Sequence, residues 1–464
     1  MKSSNMFFIA ILLVIILLGN YLREFNYGLV PHPGEIADEY SYGWAGLSLI
    51  KDKYPISWSS LNSYKTTEDK KINVDEIYDK DPQRPPFPIV KPWFDHPPLL
   101  GLTTGGYAYL KGVREYQDAS VAILRRPMLK IAILTTILIF ILGWRLYSPG
   151  VGLLSALLYS TIPTTLISSR LALMENVIIP LFLGSLIFAD LYIKHKKKLY
   201  WLIALVFCSV AMLFKLSAVA IGISLILIAL YAGKKGKRFL VTSSVFAIIM
   251  PLLIFIIYGA YYDWNVFVDT LAKNSQRFYG AGAEIFLSAV AGSRFTTTKF
   301  LTDGWIILGW ISLFSVSLSE WNKTKGGTIL TIAALSYLVV FILFGSESYG
   351  RYKFPFFPFI ILATSKLLVN LFETQNLFTF VGLLLLPFGS QVHRLLGIME
   401  FQKYAHLLRY FSIIVLGLFG LNLVWNKKLV LLNKIFMVTI LGFVVWLSVK
   451  EILYLNTDRW YFVT

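Results

Sequence analysis

The stretch Trp93-Phe94-Asp95-His96-Pro97-Pro98-Leu99-Leu100 decides how the chain is read, together with Ala37-Asp38-Glu39-Tyr40 upstream. Both lie in the one long polar segment of a sequence otherwise built from apolar runs. Hydrophobic residues make up 56% and charged residues 15% of the 464, and mean hydropathy is +0.65. A soluble domain carries about 25% charged residues, so the shortage indicates a membrane protein. The net charge of +17, from 43 basic and 26 acidic residues, does not indicate nucleic acid, because the cations fall in short clusters between apolar runs. The single cysteine, Cys208, sits in an apolar run and allows no intrachain disulfide.

A spanning helix needs roughly 20 mostly apolar residues. Runs near that length recur at 6–24, 129–147, 151–168, 171–193, 200–214, 216–232, 239–261, 302–319, 327–345, 353–371, 377–390, 407–425 and 435–449. They predict an all-α polytopic protein of about thirteen helices, the 200–214 and 377–390 runs being short. No small-x-small cleavage site follows the first run, so it reads as an uncleaved span. Lys194 to Lys198, Lys234 to Arg238, Lys323 to Lys325 and Lys427-Lys428 occur at every second crossing. Placed in the cytoplasm, they put the N-terminus inside and the C-terminus outside. The segment from Phe25 to about Met128 then faces outward, as do the loops 262–301, 346–352 and 391–406. The whole chain reads as one transmembrane domain, with no separate soluble C-terminal domain.

The outer segment 25–128 is too long for a connection without structure of its own. Ile36 to Ile50 reads as an amphipathic helix with Ile36, Tyr40, Gly43 and Leu47 along one stripe. Residues 51–92 read as an irregular excursion. Asp95 precedes Pro97-Pro98 and an apolar stretch to Leu110, which places it as the cap of a second interfacial helix. Such helices lie on the membrane surface. In the loop 262–301, Trp264, Phe267, Arg277, Phe278 and Tyr279 with Gly280 and Gly282 suit a mobile cover over a site; 391–406 reads as another interfacial helix.

Asp38 and Glu39 open a helix, where a carboxylate can serve simply as a dipole-favoured charge. The functional reading is a general base at the membrane boundary that takes a proton from an attacking hydroxyl. Tyr42 shares a face with Asp38, and Trp44 is near; such aromatics suit a sugar ring and are also ordinary interface anchors. Asp95 is either a helix cap or a second acid orienting an acceptor or a lipid phosphate. With His96 it leaves room for a divalent cation, although no partner lies at a recognised ligand spacing. Arg351, Lys353, Lys215 and Arg170 stand at outer helix ends, where each suits either a lipid headgroup or a phosphate. Glu175 lies about 7 Å inside its helix from Arg170 at 1.5 Å per residue. An acid at that depth marks either a site or a buried hydrogen bond to a neighbouring helix.

These residues resemble the superfamily of protein O-mannosyltransferases and lipid A aminoarabinose transferases, which has the GT-C fold. The resemblance rests on an Asp-Glu pair opening the first outer loop, the Phe94-Asp95-His96-Pro97-Pro98-Leu99 stretch, Arg170-Leu171-Ala172-Leu173-Met174-Glu175-Asn176, and Arg351-Tyr352-Lys353-Phe354-Pro355-Phe356-Phe357-Pro358. The mannosyltransferases carry one more residue between Asp and His than this chain does. The resemblance implies an inverting membrane glycosyltransferase that uses a polyprenyl-phosphate sugar. It implies Asp38 as catalytic base and Asp95 in support; beside it, the negative charge that grows on a departing lipid phosphate at the membrane boundary assigns Arg351, Lys215, Arg170 and Lys353 to that phosphate. Glu39, Tyr42, His96, Glu175, Arg277 and Tyr352 then fall to the substrates. The acceptor is a protein, lipid or glycan hydroxyl, with membrane lipid around it and no nucleic acid. A flippase of lipid-linked sugars and an oligosaccharide polymerase or ligase share the many spans and remain the alternatives.

Overall fold

The computed structural model describes residues 3–464 apart from 62, 65, 79–82, 84, 233–235, 276–291, 295–299, 345–349, 426–428, 458–459 and 461–464. Every apolar run of the sequence coincides with helix. The first is α1 (Ser3–Glu24). The polar segment follows, and then come α5 (Val121–Leu146), α6 (Pro149–Thr161), α7 (Pro163–Ser168), α8 (Met174–His195), α9 (Lys198–Phe214), α10 (Val219–Ala232) and α11 (Lys237–Tyr262). After α12 (Trp264–Ser275) come α13 (Gly304–Glu320), α14 (Lys325–Phe344), α15 (Phe357–Glu373), α16 (Leu377–Lys403), α17 (Ala405–Trp425) and α18 (Val430–Leu455). Among the described residues, nine helices are long and apolar enough to cross a membrane, and Lys198–Phe214, Leu216–Ala232 and Gly304–Glu320 are shorter apolar helices. The protein is an integral membrane protein.

Two expectations are corrected in the bundle. The run 151–168 is not one helix: Ile162 is extended ahead of Pro163, which has no N–H to continue the ladder, so α6 ends and α7 begins. The stretch 391–406 is not a separate interfacial helix. It continues α16 as far as Lys403, because its polar residues find partners on α18: Gln391 is hydrogen-bonded to Ser448, and Arg394 pairs with Glu451.

Among the described residues of the polar segment, the irregular excursion expected over 51–92 gives way to a small antiparallel sheet. Strands β1 (Ser57–Trp58), β2 (Thr66–Ile72) and β3 (Phe87–Val90) run in the order β1-β3-β2. Trp58 pairs with Ile89 in β3, and Ile72 pairs with Phe87. The sheet forms because its aromatic residues have a helix to cover. Phe87 packs 5.1 Å from Trp58, 5.8 Å from Trp44 and 6.2 Å from Tyr40, ring to ring. The helix beneath is α2 (Asp38–Lys51), buried continuously from Glu39 to Ser48. Its apolar stripe therefore meets protein. A single turn, α3 (Asp75–Tyr78), and the helix α4 (Leu99–Leu110) complete the segment; α4 leaves Leu102 and Leu110 exposed. A two-stranded pairing, β4 (Gly292–Arg294) with β5 (Phe300–Thr302), precedes α13.

Helices α2 and α4 touch backbone to backbone. A Cβ on Gly46 would stand 1.8 Å from the Gly101 carbonyl oxygen, and one on Gly105 would stand 2.3 Å from that of Gly43. Only hydrogen side chains permit such an approach, which carries the start of α2 and the loop before α4 to one place. Beside them on α4, a Cβ on Gly106 meets nothing nearer than the flexible end of Ile50, also on α2, at 3.4 Å. Gly46→Ala is expected to destabilise the protein by about 1–3 kcal/mol through overpacking. Gly106→Ala is expected to be neutral or stabilising by up to about 1 kcal/mol through helix propensity. Thermal unfolding of the two purified variants checks the contrast.

Candidate functional site

A pocket opens where the polar segment meets the bundle. It is lined by Asp38, Ser41, Tyr42, Trp58, Ser59, Ser60, Trp93, Asp95, His96, Arg351 and Tyr352. The pocket thus unites Asp38, Asp95, Arg351, Tyr42, His96 and Tyr352 from stretches far apart in sequence.

Asp38 is the first residue of α2 and accepts a 2.5 Å ion pair from Arg351 Nη1. Arg351 belongs to a 3-10 segment, Gly350–Phe356, that leads into α15; there Pro355 has no N–H to donate. Tyr42 lies one turn along α2 from Asp38 and forms an edge-on cluster with Trp93 at 6.2 Å and His96 at 5.8 Å. Burial, reinforced by the charge of Asp38, holds the Tyr42 phenol well above its ordinary pKa, so it stays neutral beside the acid.

Asp95 does not cap α4. The cap position is Pro98, with no side-chain bond. The carboxylate is instead held by Ser59 Oγ and Tyr64 Oη, each donating at 2.7 Å, and Asn274 Nδ2 donates to its carbonyl oxygen at 3.1 Å. Burial, and next the charge of Asp95, push the Tyr64 phenol up, which keeps its proton available for that bond. Phe94 anchors the loop: its ring sits between Phe267 at 5.5 Å and Tyr258 at 5.9 Å, on α12 and α11. The motif therefore divides its labour. Phe94 is buried as a peg, Trp93, Asp95 and His96 face the pocket, and the prolines lead into α4.

Other expected site residues are placed elsewhere. Glu39 is fully buried; its oxygens accept from Arg125 Nε and Nη2 at 2.8 and 2.7 Å and from the Ala172 N–H at 2.8 Å. It is a structural anchor and does not line the pocket. Arg170, also fully buried, donates to the carbonyls of Leu22 and Val30 and to Asn456 Oδ1, tying α1 to the end of α18. Lys353 is turned away from the pocket of Asp38, into a second, apolar pocket with Trp310, Tyr337 and Phe357. Glu175 takes up the alternative of a buried bond between helices: Lys215 Nζ pairs with it at 2.5 Å. Lys215 also lies 3.9 Å over the Tyr352 ring, which on its other contact has Arg351 at 5.5 Å, so this pair borders the pocket without lining it. Arg277 lies outside the described residues. Among the described residues, no group of three or more His, Cys, Asp and Glu side chains could hold a metal ion.

The family described as dolichyl-phosphate-mannose-protein mannosyltransferase matches residues 95–264. Among solved structures, ArnT from Cupriavidus metallidurans bound to undecaprenyl phosphate superposes with a TM-score of 0.54 at 14% identity, covering 97% of this chain and 78% of that one. An oligosaccharyltransferase of Archaeoglobus fulgidus in the apo form superposes with a TM-score of 0.52 at 12% identity, covering 99% of this chain and 57% of its own. The archaeal oligosaccharyltransferase AglB from Archaeoglobus fulgidus, in complex with an inhibitory peptide and a dolichol-phosphate, gives 0.51 at 12% identity. The chain has the GT-C fold. It spans little more than half the length of the archaeal GT-C protein. No curated protein matches it by sequence.

Within this GT-C bundle, residues 38 and 39 are neighbours with opposite fates, and the difference is measurable. Arg125→Leu strands Glu39 as an uncompensated buried charge and is expected to cost about 3–5 kcal/mol. Thermal unfolding of the variant in detergent checks this, and a melting temperature equal to that of the parent protein contradicts the assignment.

Proposed function

We propose that the protein is an inverting glycosyltransferase that moves a sugar from a polyprenyl-phosphate donor to an acceptor hydroxyl on the extracytoplasmic face. The observation that carries this reading is the pairing of Asp38 with Arg351 inside a pocket walled by Trp58, Trp93 and Tyr42. Flat aromatic faces bind sugar rings, an acid accepts a proton, and an arginine receives a phosphate. The GT-C neighbours support the same donor class, since ArnT was captured with undecaprenyl phosphate and AglB with dolichol-phosphate.

In this scheme the acceptor oxygen attacks the anomeric carbon as Asp38 takes its proton. The bond from that carbon to the phosphate oxygen breaks on the opposite face, and its electron pair leaves with the lipid phosphate. Charge grows on that oxygen in the transition state, where Arg351 stabilises it. Lys215, paired with Glu175, packs against the far side of Tyr352 and holds that ring at the pocket. Asp95, fixed by Ser59 and Tyr64, orients the acceptor across the pocket.

The two ends of the bundle support the orientation. Asp38, Arg351, Glu175 and Lys215 gather at one end. At the other end of α8, Asp190 is held by Arg145 and Lys325 at 2.5 Å each, beside the Lys194–Lys198 and Lys323–Lys325 clusters. Clustered cations mark the cytoplasmic side, which leaves the pocket outside and the N-terminus inside.

Asp38→Asn is expected to lower transfer by about 10²–10⁴-fold, the contribution of a general base, while the protein still folds cooperatively with a lowered thermal transition, because Arg351 loses its anion. Mass spectrometry of products formed from defined polyprenyl-phosphate sugars measures it. Near-normal turnover in the variant removes Asp38 from the role.

A further inference from the structure

The base and the phosphate-binding cation of the proposed site neutralise one another. Arg351 Nη1 lies 2.5 Å from Asp38 Oδ2, with side-chain exposures of 10% for the arginine and 28% for the aspartate. A carboxylate locked to a guanidinium is a poor proton acceptor, and a guanidinium already holding a carboxylate is a poor phosphate receptor. The pair as it stands serves neither half of the reaction.

The difference in burial tells which partner can leave. Stripping a withdrawn guanidinium of its anion costs several kcal/mol, so Asp38 leaves Arg351 most readily when another anion takes its place. Asp38 lines the pocket and has solvent to turn to. The second pair offers no such exit, because Glu175 is 2% exposed beneath Lys215. Among the described residues, the two ion pairs that meet at Tyr352 each cancel, and of their two carboxylates Asp38 lines the pocket while Glu175 does not. An incoming phosphate finds no net positive charge in these pairs unless Asp38 gives way.

We infer that the phosphate of a lipid-linked donor exchanges with Asp38 on Arg351, so that binding of the donor is what releases the base. This rests on the proposed function and deepens it. The exchange replaces one charge-assisted pair by another and so costs little in itself, while the freed carboxylate swings toward the aromatic wall where an acceptor hydroxyl sits. With no donor bound, the base stays tied to Arg351 and does not activate water or a stray hydroxyl. After transfer, Asp38 releases the acceptor's proton to solvent through the pocket, and the carboxylate so restored competes with the lipid phosphate for Arg351 and helps expel it. Asp38 is in this sense a competitor of the donor as well as the base that acts on the acceptor.

The test is the affinity of the full-length protein in lipid nanodiscs for a polyprenyl monophosphate, compared between wild type, Asp38→Asn and Asp38→Ala. Loss of the competing carboxylate is expected to tighten binding about tenfold in both variants, although neither transfers sugar. Two variants guard against one failing to fold. Unchanged or weaker binding in the variants overturns the exchange while leaving the donor class standing. Absence of binding by the wild type overturns the donor assignment itself, and the exchange with it.

Discussion

A guanidinium withdrawn from water must be held by oxygens, neutral ones at Arg170 and carboxylates at Arg125 and Arg351, and the start of α2 supplies both carboxylates. Glu39 answers Arg125, and Asp38 answers Arg351. The first pair is fully buried and reaches further, through Glu39 to the Ala172 N–H and through Arg125 to the carbonyls of Tyr27 and Pro31. It fixes the polar segment onto α5 and the loop before α8. The second pair lies at the pocket, with its carboxylate open to solvent. Successive helix residues point about 100° apart, and that turn alone separates a carboxylate that holds the fold from one that is available for chemistry.

The remaining geometry follows from bringing a second acid to Asp38. The glycine contacts between α2 and α4 permit the approach, and Phe94, wedged among Phe255, Phe267 and Tyr258, fixes the loop that carries Asp95. The sheet then closes over α2: Ser41 donates to the Trp58 carbonyl, and Ser57 donates to that of Ser41. Each device acts on backbone or on buried apolar surface. The pocket itself is left with hydroxyls, aromatic faces, two acids and one arginine.

The membrane helices and the pairing of the two motifs were legible in the sequence, because 20-residue apolar runs and an Asp-Glu pair ahead of a Pro-Pro turn are local signals. The small sheet was not. Thr66–Ile72 carries charges on both sides of its alternation and pairs irregularly with β3, so period-2 patterning is weak. Ser59, Tyr64 and Asn274, which hold Asp95, went unseen because their partners lie 31 to 179 residues away. Arg125 was missed for a different reason. Arg125-Arg126 delays the start of the hydrophobic run to 129, although Ser120, whose side chain accepts from the Ile123 N–H, caps a helix that begins eight residues earlier, at Val121. Glu39 read as a site residue because adjacency in sequence says nothing about which acid faces inward. Lys353 and Arg170 share a membrane level with the site by position alone, and their side chains are committed elsewhere.

What the arrangement offers chemically is a pair of opposite charges that a lipid phosphate can divide. A cryo-EM structure of the full-length protein with a bound polyprenyl phosphate tests this most directly. The account predicts the phosphate within hydrogen-bonding distance of the Arg351 guanidinium, with the Asp38 carboxylate separated from it and facing Trp93 and His96. A phosphate bound away from this pocket, or an Asp38–Arg351 pair unbroken beside it, contradicts the account.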